Sequence, residues 1–254
     1  MTWSEFHRDY DLPPYVGPRR TYLIATTQRT GSHFLAHLLG ARGVVGVPFE
    51  YLNRHRASLE LQSRGEEINE QAHVTLLREM RERRTGSAGW FGVKAHCHTW
   101  LATLKNPELA DQIQPEAFIH LRREDRIAQA ASLALAEQTG WWVDESQTRA
   151  FSPIYSPAHI RKALETLEAE DEAWQAYFSQ GRDRLVLTYE EVIANPEAAV
   201  SAVCTHLGVT DTGVPRRTFP SPRARPDGLV GQWAERFRRD VLVIGPAPAA
   251  SAIG

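Results

Sequence analysis

The chain has 254 residues, 42% of them hydrophobic and 24% charged, with 29 Lys and Arg against 31 Asp and Glu. That length allows one large or two small domains with a substantial core, and a net charge of −2 lacks the basic excess that nucleic-acid phosphates demand. No apolar run approaches the roughly 18–20 residues of a membrane span, the start Met1–Asp9 has no apolar export-signal core, and Cys97 and Cys204 alone make no disulfide framework.

Residues 1–20, broken by Pro13, Pro14 and Pro18, read as an arm ahead of the fold proper. Thr21–Thr26 is a short, apolar, β-rich run. It enters the polar loop Thr27–His33 and then a helix whose apolar positions are Phe34, Leu35, Leu38 and Leu39. Gly43–Val47 is a weaker strand candidate because of its two glycines. Ile68, Leu76, Leu77 and Met80 mark a charged-faced helix, and Trp90–Lys94 and Ala117–Leu121 are further strands. Asp125 can cap a helix through Ala136; Ser156 and Pro157 open another, with Ile160, Leu164, Leu167, Trp174 and Phe178 on one face. Arg184–Thr188 is the next strand, and Asn195–Leu207 is a helix closed by Gly208. The small-residue, Pro-rich stretch 245–254 reads as a flexible tail.

Apolar runs of four to six residues suit strands buried on both faces. Their alternation with helices predicts one α/β domain over residues 1–254, with a central, mainly parallel sheet flanked by helices. Such sheets bind ligands at the carboxyl ends of their strands. Two segments stand there. In Thr27-Gln-Arg-Thr-Gly-Ser-His33, Gly31 allows a sharp turn that aims successive N–H groups at one spot. A helix N-terminus adds its positive end there, and Arg29, Thr30 and Ser32 add donors. An ordinary strand-to-helix turn would share that pattern. The nucleotide P-loop G-x-x-x-x-G-K-[ST] is absent, since the loop has one glycine and its cation, Arg29, precedes it. The second segment is Arg122-Arg123 at the end of Ala117–Leu121, with Ser132 two turns into the following helix; a solvated charged loop is the plain alternative.

Together these segments resemble the PAPS-dependent sulfotransferases, most closely the branch typified by bacterial trehalose 2-sulfotransferase. The carrying residues are Thr27-Gln-Arg-Thr-Gly-Ser32, Arg122 through Leu133, Val47-Pro-Phe-Glu-Tyr-Leu-Asn53, Phe91-Gly-Val-Lys94, Gln138-Thr-Gly-Trp141, Leu187-Thr-Tyr-Glu-Glu191, and Asp227 with Gln232–Phe237. They run in order from about residue 20 to 240. The resemblance implies a P-loop-like three-layer domain whose first loop, Arg29 to His33, holds the 5′-phosphosulfate of PAPS. Arg122 or Arg123, with Ser132, would hold the 3′-phosphate. Three departures stand out: Gln28 where the branch has Pro, His33 where it has a hydroxyl residue, and a spacing of nine positions from Arg123 to Ser132 where the wider superfamily has eight.

The implied reaction is in-line sulfuryl transfer to a hydroxyl of a carbohydrate, glycolipid or similar small metabolite, aided by a general base. Positioning and charge stabilisation should dominate it, as in phosphoryl transfer. No metal is required, and His96-Cys97-His98 lacks the distant partners of a metal site. The resemblance marks Glu50 as the base. His96 is the second candidate, because Lys94-Ala-His96 follows a strand with the spacing of the base-bearing segment in cytosolic sulfotransferases. Lys94 would set a point charge near the transferring group. A surface glutamate, a hydrogen-bonded histidine and a strand-end ion pair are the plain readings of the three. Trp141 and Trp142 fit acceptor-site walls or core packing equally. The competing functions are a nucleotide kinase-like enzyme and a non-catalytic nucleotide-binding module. Branch members tend to be homodimers, which the resemblance extends to this chain, and a cytoplasmic location is the default.

Overall fold

The computed structural model describes residues 4–142, 152–211 and 228–244. Asp227 and the 245–254 tail therefore lie outside the described residues. The elements are β1 (Arg20–Thr26), α1 (Ser32–Arg42), α2 (Arg54–Ser63), α3 (Glu70–Arg84), β2 (Trp90–His96), α4 (Cys97–Leu104) and α5 (Pro107–Gln112). They continue with β3 (Ala117–Arg122), α6 (Arg126–Thr139), α7 (Pro157–Phe178), β4 (Leu185–Thr188), α8 (Tyr189–Ala194), α9 (Pro196–His206) and α10 (Leu229–Ile244). The described backbone forms two compact units, Met1–Glu124 with Ala169–Pro222 and Asp125–Glu168 with Arg223–Gly254.

The first unit holds the sheet. Its strands run β2-β1-β3-β4 and every pairing is parallel. The four strong apolar runs of the sequence are these four strands. Alternate residues of β1 serve opposite faces. Leu23 and Ala25 pack with Phe91 and Val93, with Val74, Leu77 and Met80 of α3, and with Trp174 and Phe178. Tyr22 and Ile24 pack with Leu35 and Leu39 of α1 and with Val200 and Val203 of α9. A strand buried on both sides needs apolar residues at every position, which is why its sequence is a run rather than an alternation. Trp174 ties helix to sheet end by donating its Nε1–H to the Thr26 carbonyl at 2.9 Å.

Gly43–Val47 is not a strand. Gly43 caps α1 with φ +64, and Gly46 has φ +87, so the chain turns where a strand would extend. A Cβ on Gly46 would lie 2.7 Å from the carbonyl oxygens of both Arg84 and Trp90. What pairs with the sheet is the next stretch. Phe49 makes a single parallel bridge to Val93 and its carbonyl accepts the Lys94 N–H at 2.9 Å. Residues 4–12 are also part of this unit: Phe6, Tyr10 and Leu12 are buried in its core.

The second unit is helical. Ala131, Leu135, Ile160, Leu167, Trp233 and Phe237 form its core. Asp125 caps α6 by accepting the Ala128 N–H at 2.9 Å, and the Ser156 hydroxyl accepts the His159 N–H at the start of α7.

Two glycines test how far tertiary crowding, rather than φ alone, decides a position. Gly65 also has positive φ (+70) but no atom within 4 Å of a hypothetical Cβ. Urea unfolding should show Gly65→Ala losing about 1 kcal/mol and Gly46→Ala losing at least about 3 kcal/mol, because strain and overlap add there.

Candidate active site

The turn from β1 into α1 is built by its own side chains. Thr30 is fully buried. Its hydroxyl donates to the Thr27 carbonyl at 3.1 Å and meets the Thr26 hydroxyl, so Thr30 shapes the loop from within. Arg29 takes a left-handed φ of +62, the only positive φ outside glycine among the described residues, and Gly31 follows at +73 as the N-cap of α1. A Cβ on Gly31 would come within 2.5 Å of the Tyr189 ring, so that ring sets the loop's outer limit. The Arg123 guanidinium lies over the Tyr189 ring, 4.5 Å from its centroid. Arg123 also donates from Nη1 to the Arg29 carbonyl at 3.2 Å.

The loop thus has two arginines side by side at a helix N-terminus. Burial, with the Arg123 charge beside it, lowers Arg29 to about 10, leaving it cationic at neutral pH. The buried Nε of Arg123 has no hydrogen-bond partner among the described residues. Two adjacent cations, a positive helix end and an unused donor together fit a multiply charged anion such as a phosphate. Arg122, at the last position of β3, is exposed. Ser132 belongs to α6 of the second unit, where it is buried.

Next to the loop, at the carboxyl end of β2, lies a second cluster. The register sets Thr26 opposite His96 and Ile24 opposite Lys94. The Phe49 bridge brings Glu50 against Lys94, whose Nζ donates to Glu50 Oε1 at 2.6 Å, and Lys94 has no solvent exposure. His96 Nε2 is 3.6 Å and His33 Nε2 is 4.0 Å from the same oxygen. Glu50 Oε2 faces Arg56 Nε at 3.5 Å and accepts from Asn53 at 3.4 Å. Burial alone would raise the Glu50 carboxyl, but the charges around it, Lys94 foremost and Arg56 with it, outweigh burial and hold it well below the usual range. Burial lowers both His96 and His33, Lys94 adding to the effect, so both imidazoles are neutral at pH 7.

Of the residues singled out in the sequence, Arg29, Thr30, Gly31, Ser32 and Arg123 gather around the loop, and His33, Glu50, Lys94 and His96 gather around the carboxylate. His33 starts α1, yet its side chain faces the carboxylates. Glu5 and Arg56 carry no signal of their own in the sequence, and Tyr189 stands in a segment that carries the resemblance without a role assigned to it. Glu5 stands 45 residues from Glu50, and only the packing of Phe6 and Tyr10 brings it alongside. Among the described residues, Glu5, His33 and Glu50 form the one group whose potential metal-ligand atoms lie within 4.8 Å of one another. The cation that faces Glu50 in this structure is the Lys94 ammonium. His98 pairs with Glu170, and Cys97 is buried.

An anion-holding turn beside a shielded carboxylate suits an enzyme that moves an anionic group, and known proteins agree. The sequence matches the profile of the Stf0 sulphotransferases over residues 21–240, so this enzyme belongs to the Stf0 sulfotransferase family. It is 25% identical to a trehalose 2-sulfotransferase of Mycolicibacterium smegmatis over 86% of this chain and 94% of that one. It is 23% identical to a trehalose 2-sulfotransferase of Mycobacterium tuberculosis over 89% and 97%. Among solved structures, a sulfotransferase from Alicyclobacillus acidocaldarius superposes with a TM-score of 0.48 at 16% identity, covering 89% of this chain and 94% of that one. No described helix is long and apolar enough to cross a membrane.

The buried ion pair makes a direct test. Lys94→Met leaves the Glu50 carboxylate in the core without its ammonium, and urea unfolding at pH 7 should show a loss of about 3–5 kcal/mol. Because the folded Glu50 carboxyl lies below its ordinary 4.5, its contribution is fully present above that pH and lost as pH falls through the folded value. The stability gap between wild type and Glu50→Gln should therefore shrink steadily below about pH 4.5.

Proposed function

We propose that this sulfotransferase moves a sulfuryl group from PAPS to a hydroxyl of a carbohydrate, glycolipid or similar small metabolite, with Glu50 as general base. One observation carries the reading. The anion-holding turn after β1 and the Glu50–Lys94–His96 cluster after β2 end adjacent, in-register strands, so an anionic donor and a proton acceptor meet on one sheet edge. The two relatives named above are trehalose 2-sulfotransferases, which makes a disaccharide the first acceptor to try.

The residues divide the work. Arg29 and the N–H groups at the start of α1 stabilise charge on the 5′-phosphate as it leaves. Thr30 and Tyr189 keep that loop in shape. Arg122, Arg123 and Ser132 retain the 3′-phosphate role that the resemblance gives them, and the buried orphan donor on Arg123 makes it the stronger of the two arginines. When bound, PAPS supplies an activated sulfuryl group whose S–O bond to phosphate breaks as the new S–O bond to the acceptor oxygen forms. The acceptor's proton passes to a Glu50 oxygen. A carboxylate held at low pKa is a weak base, which suits a transition state where the acceptor oxygen gains little negative charge before the proton moves. Lys94 keeps that carboxylate ionised and offers positive charge beside the transferring group.

A second assignment of the base has one observation in its favour. His96 is neutral and its Nε2 faces Glu50, so a Glu50-oriented imidazole could take the proton instead. The kinase-like alternative fails on the missing G-K-[ST] and the family match, and the same match sets aside a non-catalytic module. A cytoplasmic homodimer completes the proposal, with light scattering in solution as the check on assembly.

Turnover with labelled PAPS against a panel of sugars including trehalose tests the reading as a whole; no transfer to any sugar or glycolipid overturns the acceptor class. Arg29→Ala should weaken binding of 3′-phosphoadenosine 5′-phosphate in calorimetry by about 1.5–3 kcal/mol, roughly 10–200-fold. Glu50→Gln should lower kcat at least about 100-fold while that binding stays within a few-fold of wild type. If His96→Ala shows this pattern and Glu50→Gln does not, the imidazole is the base.

A further inference from the structure

We propose that Glu5 is a positioning residue for the base: it anchors Glu50 through the backbone, and its charge sets how strongly the Glu50 carboxylate accepts a proton. The proposal rests on Glu50 being the base.

Glu5 lies in the N-terminal stretch that Phe6, Tyr10 and Leu12 fasten to the core. Its side chain has no solvent exposure. Oε2 accepts the Glu50 N–H at 3.2 Å. Oε1 is buried without a hydrogen-bond partner among the described residues, 3.5 Å from Arg56 Nη1 and 3.7 Å from His33 Nε2. To hold one backbone N–H, a neutral amide would serve at far lower desolvation penalty. A full carboxylate here needs an electrostatic reason.

That reason is the neighbouring carboxylate. Arg56 addresses Glu5 with Nη1 and Glu50 with Nε, both at 3.5 Å, and His33 Nε2 faces both acids. Both carboxylates thus face Arg56, while Lys94 contacts Glu50. Without the Glu5 charge, both cations would act on Glu50 alone and make it a still weaker proton acceptor. The groups around Glu5 are His33 from α1, Glu50 and Tyr51 from the segment before α2, Arg56 from α2 and Lys94 from β2. Burial raises the Glu5 carboxyl to about 6, with Arg56 opposing and Glu50 reinforcing. Below that pH Glu5 is neutral and the support it gives Glu50 disappears.

The test is the pH profile of kcat at saturating PAPS and acceptor. In the wild type kcat should fall about tenfold as pH drops through about 6. Glu5→Gln keeps an acceptor for the Glu50 N–H but not the charge. It should lie about 3–30-fold below wild type at pH 7.5, with a flat profile and unchanged KM values. Glu5→Asp keeps the charge and should keep the acid limb. In a Glu50→Gln background, Glu5→Gln should add no further loss. Calorimetry with 3′-phosphoadenosine 5′-phosphate verifies that each variant is folded. A flat wild-type profile, an unchanged limb in Glu5→Gln, loss of the limb in Glu5→Asp, or an equal loss in both backgrounds would overturn the proposal. Wild-type kcat in Glu50→Gln alone would instead remove the base assignment beneath it. If Glu5→Gln does not fold, the wild-type and Glu5→Asp profiles still decide.

Discussion

Burying an ammonium group away from all solvent is unfavourable unless an anion meets it at short range, and in this protein the Lys94–Glu50 contact at 2.6 Å is that meeting. Much of the active-site region follows from it. Lys94 sits on β2, where the parallel pairing with β1 removes it from water. Its partner must therefore be delivered to that strand, which the Phe49–Val93 bridge does. The turn at Gly46 exists so that the chain can leave α1 and arrive at β2 in this register. Arg56 and Asn53 then occupy the second carboxylate oxygen, and Glu5 supplies the negative charge that balances Arg56. The assembly of two acids and two cations is near neutral, with three imidazoles kept uncharged around it: His33, His37 and His96. A balanced cluster of this kind holds the Glu50 carboxylate in one position.

The neighbouring turn is organised by the opposite imbalance. Arg29 and Arg123 are two cations with an aromatic ring for support, at the positive end of a helix. Two like charges side by side repel one another, and an anion between them would relieve that repulsion. The division of charge between the two clusters has a mechanistic sense. One concentrates positive charge at a helix N-terminus, and the other holds an ionised carboxylate in a nearly balanced surrounding.

Much of this was readable before any coordinates. The four apolar runs became four parallel strands because most of their positions are buried, and a buried polar group such as Lys94 is tolerated only where a partner meets it. Asp125, Asn195 and the Ser156–Pro157 pair marked helix starts correctly, since capping is a local hydrogen bond between neighbours in sequence. Gly43–Val47 misled for an equally physical reason. Its valines have strand propensity, but two left-handed glycines turn the chain. The prolines of the N-terminal stretch suggest an arm, yet Phe6, Tyr10 and Leu12 are core residues. Local composition does not reveal whether a short segment finds a groove to fill.

What the amino-acid sequence determined by itself is the class of fold and the strand–loop–helix turn with its arginine and glycine, which rest on residues close together in the chain, while Glu50, Lys94 and His96 became candidates through motifs that the chain shares with a family. What only the tertiary structure decided is that these last three form one charged cluster, that Arg123 rather than Arg122 reaches the loop, and that Glu5 and Tyr189 complete the two halves. Those facts depend on strand register and on contacts between residues tens of positions apart. No spacing along the chain encodes them, because distance in space is set by the packing of the whole sheet.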